Sequence, residues 1–274
     1  MSGLPALAPA LALATLLLGA CAHAPAQDLG AALDTPLQAS LPQLPSRPGR
    51  IFTSEEPAHI MVIGDSLSQG FADALRQRVA ERGINAVVAN RGRVSTGLAR
   101  ADFYDWPAAF AGLVATEKPD IVVAHFGAND MQTITRPENR AGYGSAGWDD
   151  AYRAEADRIL ATAAESRTVL MWLGPAPDGH DGLGRHMAHI APIFRDAAAA
   201  RGAIFLPLAA FTAGPQGEYV TAVPVGGKTV TIRTGDRSHF NMTGYRLVAD
   251  HIIDDLVRRF PDLAPAPGLL AALQ

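Results

Sequence analysis

The sequence predicts an α/β fold, a three-layer α/β/α sandwich around a five-stranded parallel sheet. Short apolar runs alternate with amphipathic helical patterns along residues 55–262. The runs are almost continuously hydrophobic, which is typical of strands that are buried on both faces. Right-handed crossovers between successive strands then place helices on both sides of the sheet.

Five apolar runs, each bounded by polar or turn residues, predict the strands. They are residues 59–64, 85–90, 120–127, 168–174 and 203–208. Helical periodicity between and after the runs predicts helices at residues 68–83, 106–118, 149–166, 188–202 and 241–260. Residues 228–234 alternate in polarity and predict a small extra strand or hairpin arm.

Composition restricts the class of protein. The 274 residues are 48% hydrophobic and 18% charged, with a formal net charge of −4. This length suits one large globular domain with tails. Because no block of basic residues is present, nucleic acid is not expected as a partner.

The N-terminus has the pattern of an export signal. An apolar run too short to span a membrane ends at Cys21, the only cysteine, so no intrachain disulfide can form. Residues 18–21, LGAC, resemble the bacterial lipobox, whose cysteine is lipidated. The alternative is an ordinary signal peptide cleaved near the AHA of residues 22–24. The lack of Lys or Arg before the apolar core departs from the usual pattern.

Either form of this N-terminus predicts export to the periplasm. The lipobox resemblance also implies an outer-membrane anchor, because Ala22 rather than Asp follows the cysteine. The predicted order is therefore a signal peptide over residues 1–21, a Pro/Ala-rich tether over 22–54 and a folded domain over 55–262. A flexible tail is predicted over 263–274.

The strand order locates the expected site. In the flavodoxin-like order 2-1-3-4-5, the ligand crevice lies at the carboxyl ends of strands 1 and 3. Polar signatures follow both strands: GDSLSQG after the first and GANDMQ after the third. A dinucleotide-binding fingerprint fails, because Ser66 stands where its second glycine should be.

Ser66 admits two interpretations. It is either an N-cap, the commoner use of serine at a strand-to-helix turn, or a nucleophile at a helix N-terminus where free N–H groups stabilise an anion. The nucleophile elbow G-x-S-x-G is disfavoured, because Ser68 takes its last place.

A serine nucleophile needs a base and an acid that orients the base. Asp236 and His239 lie three residues apart just before the last helix, so their side chains can meet. The alternative is a capped loop with a surface histidine. Asn129 and the Gly97 N–H are candidate oxyanion donors, although Gly and Asn also populate ordinary turns.

Together the blocks GDS, the glycine after strand 2, GAND and DRSH resemble the SGNH (GDSL) hydrolase superfamily over about residues 60–260. STGLARADFYDWP and HFGANDMQ resemble its exported bacterial DUF459 subfamily. The resemblance implies Ser66 as nucleophile, His239 as base and Asp236 as its partner. It also implies an oxyanion hole made by the N–H groups of Ser66 and Gly97 and the side chain of Asn129.

Two positions depart from the family pattern. Phe240 replaces the proline that usually follows the catalytic histidine. The glycine after strand 2 is ambiguous, because Gly92 or the Ser95 backbone could serve instead of Gly97.

The remaining candidates are less specific. His180, Asp181, His186 and His189 match no compact metal site, so no metal is predicted and a loop at the crevice rim is expected. His125 is expected to pack in the core. Tyr104 and Trp106 are either ordinary packing at a helix start or an aromatic platform for a sugar ring.

The function predicted is a serine esterase of the cell envelope that needs no cofactor. Its expected partner is an O-acyl, especially O-acetyl, carbohydrate such as an exopolysaccharide or peptidoglycan. The same machinery would also suit a polysaccharide acetyltransferase or a lipid or thioester esterase, although no long apolar lid is visible. An alternative of another class is a non-catalytic glycan-binding accessory of a polysaccharide synthase.

Overall fold

The computed structural model describes residues 49–265. The predicted signal peptide, Cys21, most of the tether and the last nine residues lie outside the described residues. Within residues 49–265, none of the helices combines the length and apolar character that crossing a bilayer would require.

The central sheet has five parallel strands in the order β2-β1-β3-β4-β5, which confirms the predicted topology. Its strands are β1 (Ala58–Gly64), β2 (Ala86–Asn90), β3 (Ile121–His125), β4 (Val169–Gly174) and β5 (Ile204–Pro207). In the register of the three middle strands, Val62 lies beside Val123, which lies beside Met171. The order reverses at β1 and β3, so a crevice opens at their carboxyl ends.

Six helices accompany the sheet: α1 (Ser66–Glu81), α2 (Trp106–Glu117), α3 (Trp148–Glu165), α4 (Asp181–Ala200), α5 (Ala209–Thr212) and α6 (Met242–Arg259). Helices α1 and α6 pack together on one face, and α3 packs against both α2 and α4 on the other. Helix α4 begins at Asp181, seven residues before the predicted start at residue 188.

Two hydrophobic cores lie on either side of the sheet. Val62 belongs to the core beneath α1 and α6, and its neighbour Ile63 belongs to the core beneath the other helices. Successive strand residues point to opposite faces, so the apolar runs supply both cores at once. This double burial explains why the strands are continuously hydrophobic.

The alternating segment near residue 230 forms one arm of an antiparallel hairpin. Strand β6 (Ala222–Val225) pairs with β7 (Lys228–Thr231), outside the main sheet. Beyond β7 an isolated bridge joins Arg233 to Phe240, and the segment between them holds Asp236 and His239. The hairpin therefore leads the chain into the predicted catalytic loop.

The packed domain is longer than the predicted 55–262 at both ends. Phe52 is 2% exposed and its N–H donates to a carboxylate oxygen of Asp262 at 2.9 Å. Leu263 is also buried, and its carbonyl accepts from the Asn85 N–H at 2.8 Å. The last residues of the predicted tether and the first of the predicted tail therefore pack into the core beneath α1 and α6.

Candidate active site

Ser66 is the first residue of α1, and the cap of that helix is its neighbour Asp65. The Asp65 carboxylate accepts from the Leu67 N–H at 3.0 Å. Gly64 precedes it with φ of 131°, and a Cβ there would overlap the His125 carbonyl of β3. Because Asp65 performs the capping, the Ser66 hydroxyl is free to point elsewhere.

That hydroxyl contacts His239. Ser66 Oγ lies 3.0 Å from His239 Nε2, and His239 Nδ1 lies 2.7 Å from Asp236 Oδ2. An ionised carboxylate can only accept, so Nδ1 carries the ring proton and Nε2 accepts from the serine hydroxyl. The structure therefore brings Ser66, His239 and Asp236 into one continuous hydrogen-bonded chain.

Asp236 is held as an anion by its own loop. Its other oxygen, Oδ1, accepts from the Thr234 hydroxyl at 2.6 Å and from the N–H groups of Ser238 and His239 at 3.0 Å each. These bonds, with the one from Thr234 the largest contribution, hold the pKa of Asp236 well below its usual range. The carboxylate therefore remains charged beside the imidazole.

Arg233 fastens this loop to the body of the domain. Its side chain is buried, and Nη1 donates to the Ser238 carbonyl at 2.9 Å. Nη2 donates to the carbonyl of Pro177, in the loop after β4, at 2.7 Å. The Arg233 guanidinium thus joins the loop that carries His239 to the loop after β4. The sequence analysis did not predict this contact.

Phe240, which stands where the family pattern has a proline, has a structural role. Its ring is buried, and the Arg233 guanidinium lies 3.9 Å from the ring centroid. Phe240 also packs against Phe71 of α1 and Tyr245 of α6, with centroids 5.8 Å and 5.6 Å apart. The residue after His239 is therefore an anchor in the core as well as a partner for the buried cation.

Burial lowers the pKa of Arg233 to about 10, so it stays charged at neutral pH. No carboxylate pairs with it among residues 49–265. Two carbonyls and an aromatic face compensate the charge instead, and such groups are well suited to a planar guanidinium.

Asn129 lies in the loop after β3, as predicted. One hydrogen of its amide is engaged, because Nδ2 donates to the Thr96 carbonyl at 2.9 Å. An amide nitrogen carries two hydrogens, so the second remains available to a ligand. The bond to Thr96 fixes the direction of the amide and joins the loops after β2 and β3.

The loop after β2 separates Gly92 from the other two candidates. The Gly92 N–H is already engaged, since it donates to the Asn90 side chain at 3.0 Å. Ser95 adopts a left-handed conformation with φ of 58° and is exposed. Gly97 is buried against Asp130, whose carboxylate a Cβ would overlap.

The N–H of Gly97 has no hydrogen-bond partner in the described part of the chain. The Ser95 N–H has none there either, so Gly97 and Ser95 both remain candidates for the backbone donor. The absence of a side chain at Gly97 is explained by the packing of Asp130.

Asp130 is buried and joins two segments of the domain through hydrogen bonds. The sequence analysis assigned it no role beyond membership of the GAND motif. Its Oδ1 accepts from the Ala99 N–H at 2.8 Å, and its Oδ2 accepts from the Tyr152 hydroxyl at 2.7 Å. Burial raises the pKa of Asp130. This carboxylate ties the loop after β2 to α3, beneath the residues that face the crevice.

The aromatic platform is wrong for Trp106. Its ring is fully buried, and its Nε1–H donates to the Thr96 hydroxyl at 2.9 Å. Tyr104 packs edge-on against Trp106 at 4.9 Å and lies beneath Arg93 at 4.6 Å. The packing interpretation therefore holds for Trp106, while Tyr104 stays partly exposed.

The loop expected at the crevice rim is largely helical, because Asp181, His186 and His189 lie on α4 and His180 immediately precedes it. The three histidines have separate partners. His180 lies 3.0 Å from Asp178, and His189 lies 2.8 Å from Asp149. His186 donates from Nε2 to the Gly127 carbonyl at 3.2 Å. Within residues 49–265, no set of three potential ligands gathers to hold a metal. Asp181 is exposed at the start of α4.

His125 is a core residue, as expected. It is 1% exposed and lies 3.3 Å from the Asp65 carboxylate. This contact links the residue before Ser66 to the end of β3. The buried pair thereby holds the strand-to-helix turn against its neighbouring strand.

Solved structures share this fold. A protein assigned to the G-D-S-L lipolytic family, from Desulfitobacterium hafniense, matches with a TM-score of 0.53 and 15% identity, covering 71% of this chain and 97% of its own. A GDSL-like lipase from Bacteroides thetaiotaomicron matches with a TM-score of 0.54 and 14% identity, covering 73% and 88%. An aryl esterase from M. smegmatis gives 0.51 and 13%, covering 74% and 99%.

The fold is therefore that of the SGNH (GDSL) hydrolases. The family model described as "Protein of unknown function (DUF459)" matches residues 59–255, and the chain belongs to that family. Among curated proteins, none matches this sequence.

Proposed function

We propose that this protein is a serine esterase. The observation that carries the proposal is the chain of hydrogen bonds from Ser66 through His239 to Asp236 at the crevice between β1 and β3. A neutral imidazole that accepts from a serine hydroxyl and donates to a carboxylate is the arrangement that activates serine for acyl transfer.

The reaction follows from these contacts. His239 Nε2 removes the proton as Ser66 Oγ attacks the ester carbonyl carbon. The protonated imidazole then gives that proton to the leaving alcohol, and an acyl-serine remains. Water, deprotonated by the same nitrogen, releases the acid and restores the serine. Asp236 stabilises the imidazolium in both steps because its carboxylate stays ionised.

Three donors suit the developing oxyanion. Ser66 opens α1, where the N–H groups of the first turn have no acceptor in the helix. The free hydrogen of the Asn129 amide and the N–H of Gly97 or Ser95 are the other two. Each preorganised donor of this kind typically contributes about 2.7–4 kcal/mol to lowering the barrier.

The substrate class we propose is an O-acyl, especially O-acetyl, carbohydrate of the cell envelope, such as an exopolysaccharide or peptidoglycan. The apolar segment ending at Cys21 supports this proposal, because it favours export and a lipid anchor at the outer membrane. A Cys21→Ser variant that stays fully bound to membranes would contradict the anchor.

The central test uses protein lacking residues 1–21 and p-nitrophenyl acetate. We expect release of nitrophenol by the wild type and its loss in Ser66→Ala. Ser166→Ala is the matched control, because Ser166 lies at the opposite end of the domain, just after α3. Equal turnover by Ser66→Ala would refute the nucleophile. No turnover of any acyl ester, with no labelling by a serine-directed phosphonate, would favour a non-catalytic glycan-binding role.

A further inference from the structure

A cavity lies between the loop after β3 and the start of α4. Its volume is about 510 Å³, within the range of small-molecule sites. Met131 lines it two residues beyond Asn129. His186, also in its wall, bonds the Gly127 carbonyl at the end of β3. The cavity thus shares a loop with the proposed oxyanion donor.

Two exposed apolar side chains line this cavity. Tyr143 is 42% exposed and Met131 is 40% exposed, and both line it. Large apolar side chains left exposed in a concavity mark a binding site more often than an unused surface.

The tyrosine ring is held in a fixed orientation. Tyr143 contacts buried Trp148 edge-on, with centroids 5.2 Å apart, and Trp148 stacks on Tyr152 at 4.5 Å. The Tyr143 hydroxyl lies 3.1 Å from His186 Nδ1. Because His186 Nε2–H is directed at Gly127, Nδ1 is the acceptor, and the hydroxyl donates to it. Burial lowers the pKa of His186 to about 4, which keeps this neutral form at physiological pH.

Polar groups complete the wall of the cavity. Arg185 has no ion-pair partner within the described residues, and Asp149 pairs with His189 at 2.8 Å where both are about half exposed. An aromatic ring next to a cationic donor and an anionic acceptor suits a sugar. The C–H face of a sugar ring stacks on an aromatic ring, and its hydroxyls both donate and accept hydrogen bonds. An acyl chain would bury these polar groups without offering them any hydrogen bond.

We propose that this cavity is a saccharide subsite that binds the sugar unit next to the acylated one. Tyr143 is its stacking platform, and Arg185 and Asp149 bind hydroxyls. The inference rests on the proposed esterase function and specifies its substrate. It predicts that recognition of a glycan and hydrolysis of a small ester depend on different residues.

The test measures binding and turnover separately. Ser66→Ala protein is titrated with acetylated xylo-oligosaccharides and acetylated chito-oligosaccharides by calorimetry, alone and combined with Tyr143→Ala or Tyr143→Phe. We expect Tyr143→Ala to weaken binding at least tenfold and Tyr143→Phe, which keeps the ring, to weaken it less than threefold. Ile51→Ala, which removes an exposed apolar side chain outside the cavity, should change nothing.

The same Tyr143 and Ile51 substitutions in the active protein are then assayed on p-nitrophenyl acetate. We expect kcat and KM within twofold of the wild type, since this ester carries no sugar unit for the cavity to bind. Turnover of the aryl ester without binding of any saccharide overturns the subsite and leaves the esterase standing. If Tyr143→Ala lowers p-nitrophenyl acetate turnover as much as it weakens saccharide binding, Tyr143 only supports the fold, and the subsite is refuted. Absence of turnover with saccharide binding intact would refute the esterase instead.

Discussion

Replacing Arg233 by methionine is expected to slow ester hydrolysis much more than it weakens substrate binding. Arg233 holds the carbonyl of Ser238, the residue before His239, and the carbonyl of Pro177 on the neighbouring loop. Methionine retains an apolar stem but cannot donate to either carbonyl. The loop would then lose the fastening that keeps His239 Nε2 3.0 Å from Ser66 Oγ.

The magnitude follows from the contacts. Hydrogen bonds from a charged group contribute about 1.5–3 kcal/mol each. The Arg233 guanidinium over the Phe240 ring adds about 0.5–2 kcal/mol. Against these, the burial that lowers the pKa of Arg233 to about 10 costs on the order of 3 kcal/mol. We therefore expect the free energy of unfolding to fall by about 0.5–5 kcal/mol.

The effect on rate is larger than this loss of stability would suggest. A misplacement of about 1 Å in a catalytic group can cost on the order of 100-fold. We expect kcat on p-nitrophenyl acetate to fall 10- to 100-fold, with KM within about threefold. Arg233→Lys keeps the charge but reaches fewer acceptors, so its kcat should lie between those of the wild type and Arg233→Met.

The assay combines steady-state kinetics with urea unfolding, at a temperature where each variant is fully folded. Arg201→Met is the matched control, because Arg201 pairs with Asp157 on the surface, away from the loop. A folded Arg233→Met protein with reduced stability but kcat within twofold of the wild type would refute the reasoning. Arg233 would then stabilise the domain without positioning His239.

Three further predictions follow from other contacts. Asn129→Ala should lower kcat by roughly 10²–10³-fold on a short acyl ester, as the loss of one oxyanion donor does; an unchanged kcat would exclude its amide from the oxyanion hole. Gly97→Ala should lower the free energy of unfolding by about 1–3 kcal/mol, because its Cβ would overlap the Asp130 carboxylate, and an equally stable variant in urea titrations would contradict that packing. The pKa of His186 is about 4 in the folded protein, so the unfolded chain binds the extra proton first as the pH falls below about 6.5. Between pH 7 and 4.5 the free energy of unfolding of the wild type should therefore fall by about 2–3 kcal/mol more than that of His186→Gln. Equal falls in the two proteins would show that His186 is not the cause.

The sequence by itself determined the sheet and most of the candidate site. Strands buried on both faces must be apolar throughout, so their runs are visible without any knowledge of their partners. The pair Asp236 and His239 was also predictable, because a separation of three residues lets one loop close the bond between them. The polar segments after β1 and β3 marked the crevice once the strand order was inferred.

The limits of sequence reasoning appear where a residue's role depends on a distant partner. Ser66 and Asp65 are equally good caps by type, and the folded turn assigns the cap to Asp65. By its sequence position, Trp106 could serve as a stacking platform for a sugar. The tertiary structure instead buries its indole, which donates to the Thr96 hydroxyl. The need for glycine at position 97 comes from Asp130, 33 residues along the chain.

Tertiary structure alone decided how the catalytic loop is held. Arg233 reaches Pro177, 56 residues earlier, and stacks on the phenylalanine that replaces the family's proline. Local sequence determines strands, helices and hydrogen bonds within a loop, because their partners are close along the chain. Which carbonyl a buried guanidinium meets depends on how separate loops pack together, and that packing is established only when the two cores close over the sheet.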